Sequence, residues 1–263
     1  MIQPPLEIDL NADLGEGYGA YSFGEDDSLL EIVSSANIAC GFHAGDPHIM
    51  RRTVERCVAL GVAVGAHPGL PDRMGFGRRE MAVTPEEAAD WITYQVGALQ
   101  AFVHSEGGRL QHVKPHGALY HMAAGDAELA SAIVRAVTTV DKRLILFGPP
   151  GSRLHREAER QGAPFAAEGF ADRAYMPDGR LASRGTPNAM IEASEQAAAQ
   201  ALSIVKEGRV RTVSGEFCEL RVRTICVHGD SSKAAGRAKQ LASALRSAGI
   251  MIRAPQVGDK PCS

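Results

Sequence analysis

The sequence predicts an α/β fold, a TIM-like barrel of about seven parallel strands, and three observations carry that expectation. Short β-rich runs alternate with capped amphipathic runs along the whole chain. Nearly every β-rich run ends in residues able to do chemistry. The length, 263 residues, is one that strand–helix barrels reach without dividing. Residues 1–254 are therefore expected to form a single barrel domain, and residues 255–263, polar and rich in Pro and Gly, to fray as a flexible tail.

Leu6 to Leu10 and Ala36 to Cys40 are the first two expected strands. Asp46-Pro47 then opens a helix, because aspartate accepts from free N–H groups and proline suits the first helical position; Gly61 closes it. Val62 to Ala66 is the third strand. Thr84-Pro85-Glu86-Glu87 forms a capping box, after which Ala88, Ile92, Leu99 and Val103 keep one apolar face until Gly107-Gly108. Strands follow at Leu110 to Lys114, Leu144 to Phe147 and Pro164 to Ala167, with helices opening at Asp126 and Ser152 and Gly162 placed as a C-terminal cap. A helix is expected from Asn188, with Gly208 as its cap, and the run Val210 to Arg223 divides around Ser214-Gly215 into a small hairpin. Thr224 to Val227 completes the seven. A helix from Ser231, capped by Gly249, leads to a weaker eighth strand at Met251 to Arg253.

Composition narrows the function. A hydrophobic fraction of 44% with 22% charged residues supplies a large core and excludes extensive disorder. A net charge of −3 without any Lys/Arg run offers no face for nucleic acid. No apolar run approaches the roughly 18 residues that cross a bilayer, and the start MIQPPLEIDL has no charged n-region or apolar h-region, so a cytoplasmic protein with no membrane partner is expected. The five cysteines, Cys40, Cys57, Cys218, Cys226 and Cys262, form no CxxC pair and read mostly as buried free thiols.

The strand ends carry Asn11, Asp13 and Glu16; His43 and Asp46; His67; Lys114 and His116; Glu168; and His228 and Asp230, with only the fifth strand bare. In a parallel barrel these ends lie on one face, where residues far apart in sequence converge. Asp46 and Asp230 also stand where helix caps belong. His48, His104, His121 and His155 fall on presumed helices or loops and read as solvated surface. Arg78 and Arg79 in GFGRR could clamp a carboxylate or phosphate, or remain a solvated pair; Asp172-Arg173 could order a loop as an ion pair. A lysine inside a barrel mouth, Lys114, must meet an anion or shift its pKa. GPPGSR at 148–153 is not a P-loop, and no GxGxxG or HExxH is present. An aspartate with two or three strand-end histidines permits a divalent metal without demanding one, so the metal is left unknown.

DLNADLGE at 9–16, NIACGFHAGDP at 37–47, GAHPG at 65–69, GFGRR at 75–79, VKPHGALY at 113–120, FADRAY at 170–175 and TICVHGD at 224–230 resemble the lactam-utilisation (LamB/YcsF) family. The blocks run in order over about nine tenths of the chain. Glu168-Gly169-Phe170 and Leu181-Ala182-Ser183-Arg184 depart from the family's usual forms and affect loop contacts. The resemblance implies a seven-stranded barrel of the glycoside hydrolase and deacetylase type. It also implies a part in the ATP-dependent opening of 5-oxoproline to glutamate, with ATP brought as its magnesium complex and two partner subunits, B and C. On that reading the catalytic set is Asp13, His43, Lys114, His116 and Glu168: Lys114 and a loop arginine steady developing negative charge, and Asp13, His43 or His116 activates water. Asn11, Glu16, Asp46, His67, Arg78, Arg79, Arg173, His228 and Asp230 are expected to bind substrate or nucleotide. A metal-dependent deacetylase or amidohydrolase, and a non-catalytic substrate-binding subunit, are the alternatives that use the same pocket.

Overall fold

The computed structural model describes residues 6–183, 185–227 and 234–259. Seven parallel strands close into a barrel in the order β1 (Glu7–Leu14), β2 (Ser35–Ala39), β3 (Ala63–His67), β4 (Leu110–Val113), β5 (Ile145–Gly148), β6 (Phe165–Phe170) and β9 (Thr224–Val227), with β9 returning to β1. The intervening β7 (Arg209–Arg211) and β8 (Phe217–Glu219) form the expected antiparallel hairpin beside the barrel. The expected eighth strand is β10 (Met251–Ile252), which pairs only with Glu7 and Ile8 of β1 and takes no part in closure.

The helices are α1 (Asp26–Leu30), α2 (Pro47–Leu60), α3 (Pro85–Ser105), α4 (Gly117–Gly125), α5 (Ala127–Val140), α6 (Arg153–Gln161), α7 (Ser194–Glu207) and α8 (Ala234–Ser247). Their starts follow the capping chemistry: the Asp46 carboxylate accepts from the backbone N–H of His48 and Ile49, Thr84 and Glu87 close a capping box, and Asp126 and Ser152 cap α5 and α6. Two helices, α1 and α4, are not expected from the sequence. The helix expected from Asn188 starts instead at Ser194, because Asn188 sits at φ 61°, where a right-handed helix cannot run. Residues 171–183 and 185–193 carry isolated bridges, Arg173 to Met190 and Tyr175 to Leu181. The expected start at Ser231 lies outside the described residues.

Alternation along the strands sorts the core. On β1, Ile8, Leu10, Ala12 and Leu14 face outward and pack with the helices in one large apolar cluster that also takes in Val54, Ile92, Leu99 and Ile133. Truncating such a residue, as in Leu99→Ala, costs about 2–5 kcal/mol. Asp9, Asn11 and Asp13 take the opposite face and point inside the barrel. Among the described residues Ile145, Phe147 and Ala166 form a separate small apolar patch, with Phe147 stacked on His112. Cys40, Cys57 and Cys226 are buried free thiols as expected, whereas Cys218 is half-buried and Cys262 lies outside the described residues. Of the tail expected to fray, residues 255–259 are tied down: Pro255 O accepts from Gln111 Nε2 at 2.8 Å, and Asp259 pairs with Arg223 and Arg253. Among the described residues no helix is long and apolar enough to cross a membrane.

Candidate functional site

The inward positions make a column of polar side chains along the barrel axis. At its base Asp9 accepts from Ser34 (2.6 Å), Ser35 (2.7 Å) and Thr224 (2.5 Å). Burial pushes the Asp9 carboxyl up to about 6, against the pull of those hydroxyls. One layer higher, Asn11 Nδ2 donates to Thr224 Oγ1 and to Glu168 Oε1 (3.0 Å), while Asn37 Nδ2 donates to Asn11 Oδ1 (2.7 Å) and Asp13 Oδ1 (2.8 Å). His112 closes the layer, its Nε2 2.8 Å from Asn37 Oδ1; burial and the neighbouring Lys114 charge hold it neutral, with a pKa near 3. The ring fits because β3 carries Gly65 opposite it: a Cβ there would lie 2.0 Å from His112 Nε2.

Lys114 caps this column. Its Nζ lies 2.8 Å from Glu168 Oε1 and 3.0 Å from Asp13 Oδ1, and also donates to Asn11 Oδ1 (3.2 Å) and Cys226 Sγ (3.1 Å). Burial alone would lower its pKa, but Asp13, Cys226 and Glu168 lift it well above the ordinary lysine value, so the side chain is a fixed cation.

Above it stand the histidines. His67 Nε2 is 3.3 Å from Asp13 Oδ2 and 2.9 Å from His116 Nδ1; His116 Nδ1 is 3.7 Å from Glu16 Oε1, and His43 Nε2 is 3.4 Å from the same oxygen. The rings of His43 and His116 lie stacked, 3.6 Å between centroids and 3° from parallel. Burial first, then the other histidines, keeps His43 well below the usual imidazole pKa; burial does the same for His116. Gly77, at φ +64°, allows this packing, since a Cβ would come within 2.7 Å of His43 Cβ and 2.9 Å of His116 Cδ2. Glu16, His43, His67 and His116 each bring a potential ligand atom within 4.8 Å of the others.

The column and cluster open into a cavity of about 510 Å³. Asp13, Glu16, His67, Lys114 and His116 line it, together with Arg78 and Arg173. Seven of the sequence candidates thus line it, and so does His121, which reads from the sequence as solvated surface. Asn11 and Glu168 lie directly beneath, reaching the cavity through Lys114. His43 sits behind His116 and does not line the cavity. Two candidates are not among the lining residues: Asp46 caps α2 and also accepts from Gly19 N, and Arg79 pairs with Asp72. His228 and Asp230 lie outside the described residues. The GFGRR stretch does more than supply arginine, for the Phe76 carbonyl accepts from His116 Nε2 at 2.8 Å. His112, Asn37, Asp9 and Thr224 escape sequence reasoning, although the alternation in Asp9-Leu10-Asn11-Ala12-Asp13 marks an inward polar face. No site residue comes from β5, matching its bare end.

This arrangement has close counterparts. A Bacillus licheniformis protein named as the A subunit of 5-oxoprolinase is 53% identical over 248 residues, 94% of this chain and 98% of its own. The protein of that name from Pyrococcus furiosus is 51% identical over 94% of this chain and 97% of its own. The crystal structure of the lactam utilization protein of Thermus thermophilus superposes with a TM-score of 0.91 at 46% identity, covering 95% of this chain and all of that one. A putative cellobiose-phosphate cleavage protein of Enterococcus faecalis, 13% identical at TM-score 0.54 over 95% of this chain and 97% of its own, shares the fold alone. The model of the LamB/YcsF family matches residues 8–259, a span that holds the barrel strands except for Glu7 of β1 and includes Glu16, His43, His67 and His116, and the chain belongs to that family.

Proposed function

We propose that this chain is the A subunit of an ATP-dependent 5-oxoprolinase, opening 5-oxoproline to L-glutamate with ATP hydrolysis in company with subunits B and C. The observation that supports this reading is the cavity itself: a buried fixed cation, three carboxylates, three histidines and two arginines line it in a chain about half identical to proteins of that name. The substrate is a small lactam bearing a carboxylate. Arg78 and Arg173 suit that carboxylate and the phosphates of magnesium-bound ATP, because a guanidinium presents paired donors to a planar anion.

A lactam is an unactivated amide, so transfer of the ATP γ-phosphoryl group to the lactam carbonyl oxygen, with release of ADP, makes the ring carbon electrophilic. Lys114, held by Asp13 and Glu168, stabilises the negative charge that develops on that oxygen without reorganising. Water adds to the carbon, the C–N bond breaks as the ring nitrogen takes a proton and leaves as the amine, and a second water hydrolyses the resulting acyl phosphate to glutamate and phosphate. Asp13, which lines the cavity, takes the water's proton. His43, behind His116, positions the His116 ring.

The test measures glutamate formation from 5-oxoproline by the chain alone and with its partner subunits, with and without ATP. Turnover is expected only when ATP and the partners are both present. Glutamate formed without ATP, or none formed by the complete mixture, overturns the proposal.

A further inference from the structure

The two histidines at the centre of the cluster are held in tautomers that oppose each other. His67 Nδ1 lies 2.7 Å from the Lys114 carbonyl, and His116 Nε2 lies 2.8 Å from the Phe76 carbonyl. A carbonyl oxygen only accepts, so each of those nitrogens carries its ring proton. The other two nitrogens, His67 Nε2 and His116 Nδ1, then face one another at 2.9 Å with a lone pair on each. Two lone pairs form no hydrogen bond, so a positive charge must sit against them. The same point is ringed by further donors: Asp13 Oδ2 is 3.3 Å from His67 Nε2, and Glu16 Oε1 is 3.7 Å from His116 Nδ1 and 3.4 Å from His43 Nε2. His43 is buried with neither ring nitrogen hydrogen-bonded.

We propose that Glu16, His67 and His116 form a divalent-metal site on the wall of the cavity, selective for an ion of zinc's chemical class, with His43 joining once its ring turns out of the stack on His116. Three imidazoles and one carboxylate suit zinc, cobalt, nickel or iron, whereas magnesium and calcium favour oxygen donors. The site is thus separate from any magnesium carried by a nucleotide. Two nitrogens bound to one ion at about 2.1 Å stand roughly 3.0–3.4 Å apart for bond angles of about 90–110°. The observed 2.9 Å needs only a small outward movement. Backbone carbonyls on the far nitrogens of His67 and His116 are the outer partners that fix tautomer and ring direction in metal-bound histidines. Gly69 and Gly77 leave the room: a Cβ at either would come within 2.6 or 2.7 Å of His43. Such an ion would supply a Lewis acid beside the cavity. The inference stands on this geometry and does not depend on the oxoprolinase reading.

The experiment uses the full chain, stripped with dipicolinate, incubated with Zn²⁺ or Co²⁺, desalted and assayed by elemental analysis, with the visible spectrum of the cobalt form as a second readout. About one ion per chain is expected, with a low-coordinate cobalt spectrum. His67→Ala and His116→Ala should weaken binding tenfold or more, while His48→Ala, at an exposed position on α2, should not. Circular dichroism checks folding, and Glu16→Gln provides a milder change should a histidine variant fail to fold. No uptake of either metal by the stripped wild-type chain overturns the proposal and assigns the gap to a single proton shared by the two histidines. Uptake that is unchanged in both His67→Ala and Glu16→Gln also overturns it.

Discussion

Replacing Lys114 with methionine tests whether the column is a charge-balanced unit. Methionine keeps most of the volume and removes the cation that Glu168 and Asp13 share at 2.8 and 3.0 Å. The Glu168 side chain is fully buried, so without its partner it must take up a proton to remain inside. With an unfolded-state glutamate pKa of about 4.3, holding that proton at pH 7 costs about 1.36 × 2.7, or roughly 4 kcal/mol; at pH 5 the same step costs about 1 kcal/mol. In the wild type the Lys114 pair contributes no matching change. Lys114 has a folded pKa raised above its unfolded value of about 10.4, so its contribution is complete below that value and is lost only as pH rises through the folded pKa. Urea unfolding at the two pH values should therefore give a deficit for Lys114→Met that shrinks by about 3 kcal/mol on acidification. The double variant Lys114→Met/Glu168→Gln should recover much of the stability at pH 7 and none of the activity. A deficit equal at both pH values, or below about 1 kcal/mol at pH 7, would refute the reasoning.

Three further outcomes follow from particular contacts. Gly77→Ala places a Cβ against His43 and His116 at φ +64°, so it should cost about 1–3 kcal/mol in thermal unfolding and abolish turnover; wild-type behaviour would show that the stacked rings tolerate displacement. Arg78→Ala should raise the KM for an anionic substrate about tenfold or more, whereas Arg79→Ala next to it should leave KM unchanged, since of the two only Arg78 lines the cavity. Asp9 has a folded pKa of about 6 against an ordinary aspartate value of 3.8, so the native state holds a proton that the unfolded chain releases, and stability falls as pH rises through that window by about 3 kcal/mol. Asp9→Asn should remove that slope, and a wild-type-to-variant difference that stays constant from pH 4 to 7 in urea titrations would contradict the assignment.

What the sequence makes legible is the barrel and its rim. Seven strands, the caps of α2, α3, α5 and α6, and the convergence of Asp13, His67, Lys114 and His116 follow from local rules, because capping and strand ends are written in adjacent residues. The failures have a common physical cause. Sequence pattern ends β1 at Leu10 because Asn11 and Asp13 look like the end of a strand, yet the barrel interior accepts polar side chains when other strands supply their partners. His112 escapes notice for the same reason: its partner Asn37 lies 75 positions away. Arg79 looks equivalent to Arg78, and only the position of Asp72 separates them. α4 is hidden because its nine residues follow directly on Lys114-Pro115-His116, with no side-chain cap to announce it.

The column also explains how a lysine can be kept charged and motionless where most such barrels pack layers of branched apolar residues. Each of its two amides is used on both sides. Asn37 accepts from His112 and donates to Asn11 and Asp13; Asn11 accepts from Asn37 and Lys114 and donates to Glu168 and Thr224. The direction of every bond is set by groups that have no choice: Lys114 only donates, and the Glu168 and Asp13 carboxylates only accept. Reversing one amide would set acceptor against acceptor in a dry interior, at a cost of about 1–3 kcal/mol for each buried group left unpaired. The position of Nζ at the cavity floor is therefore specified by residues two layers below it. The cavity rim and the stabilising core, separate regions in most barrels, are in this chain one hydrogen-bonded object.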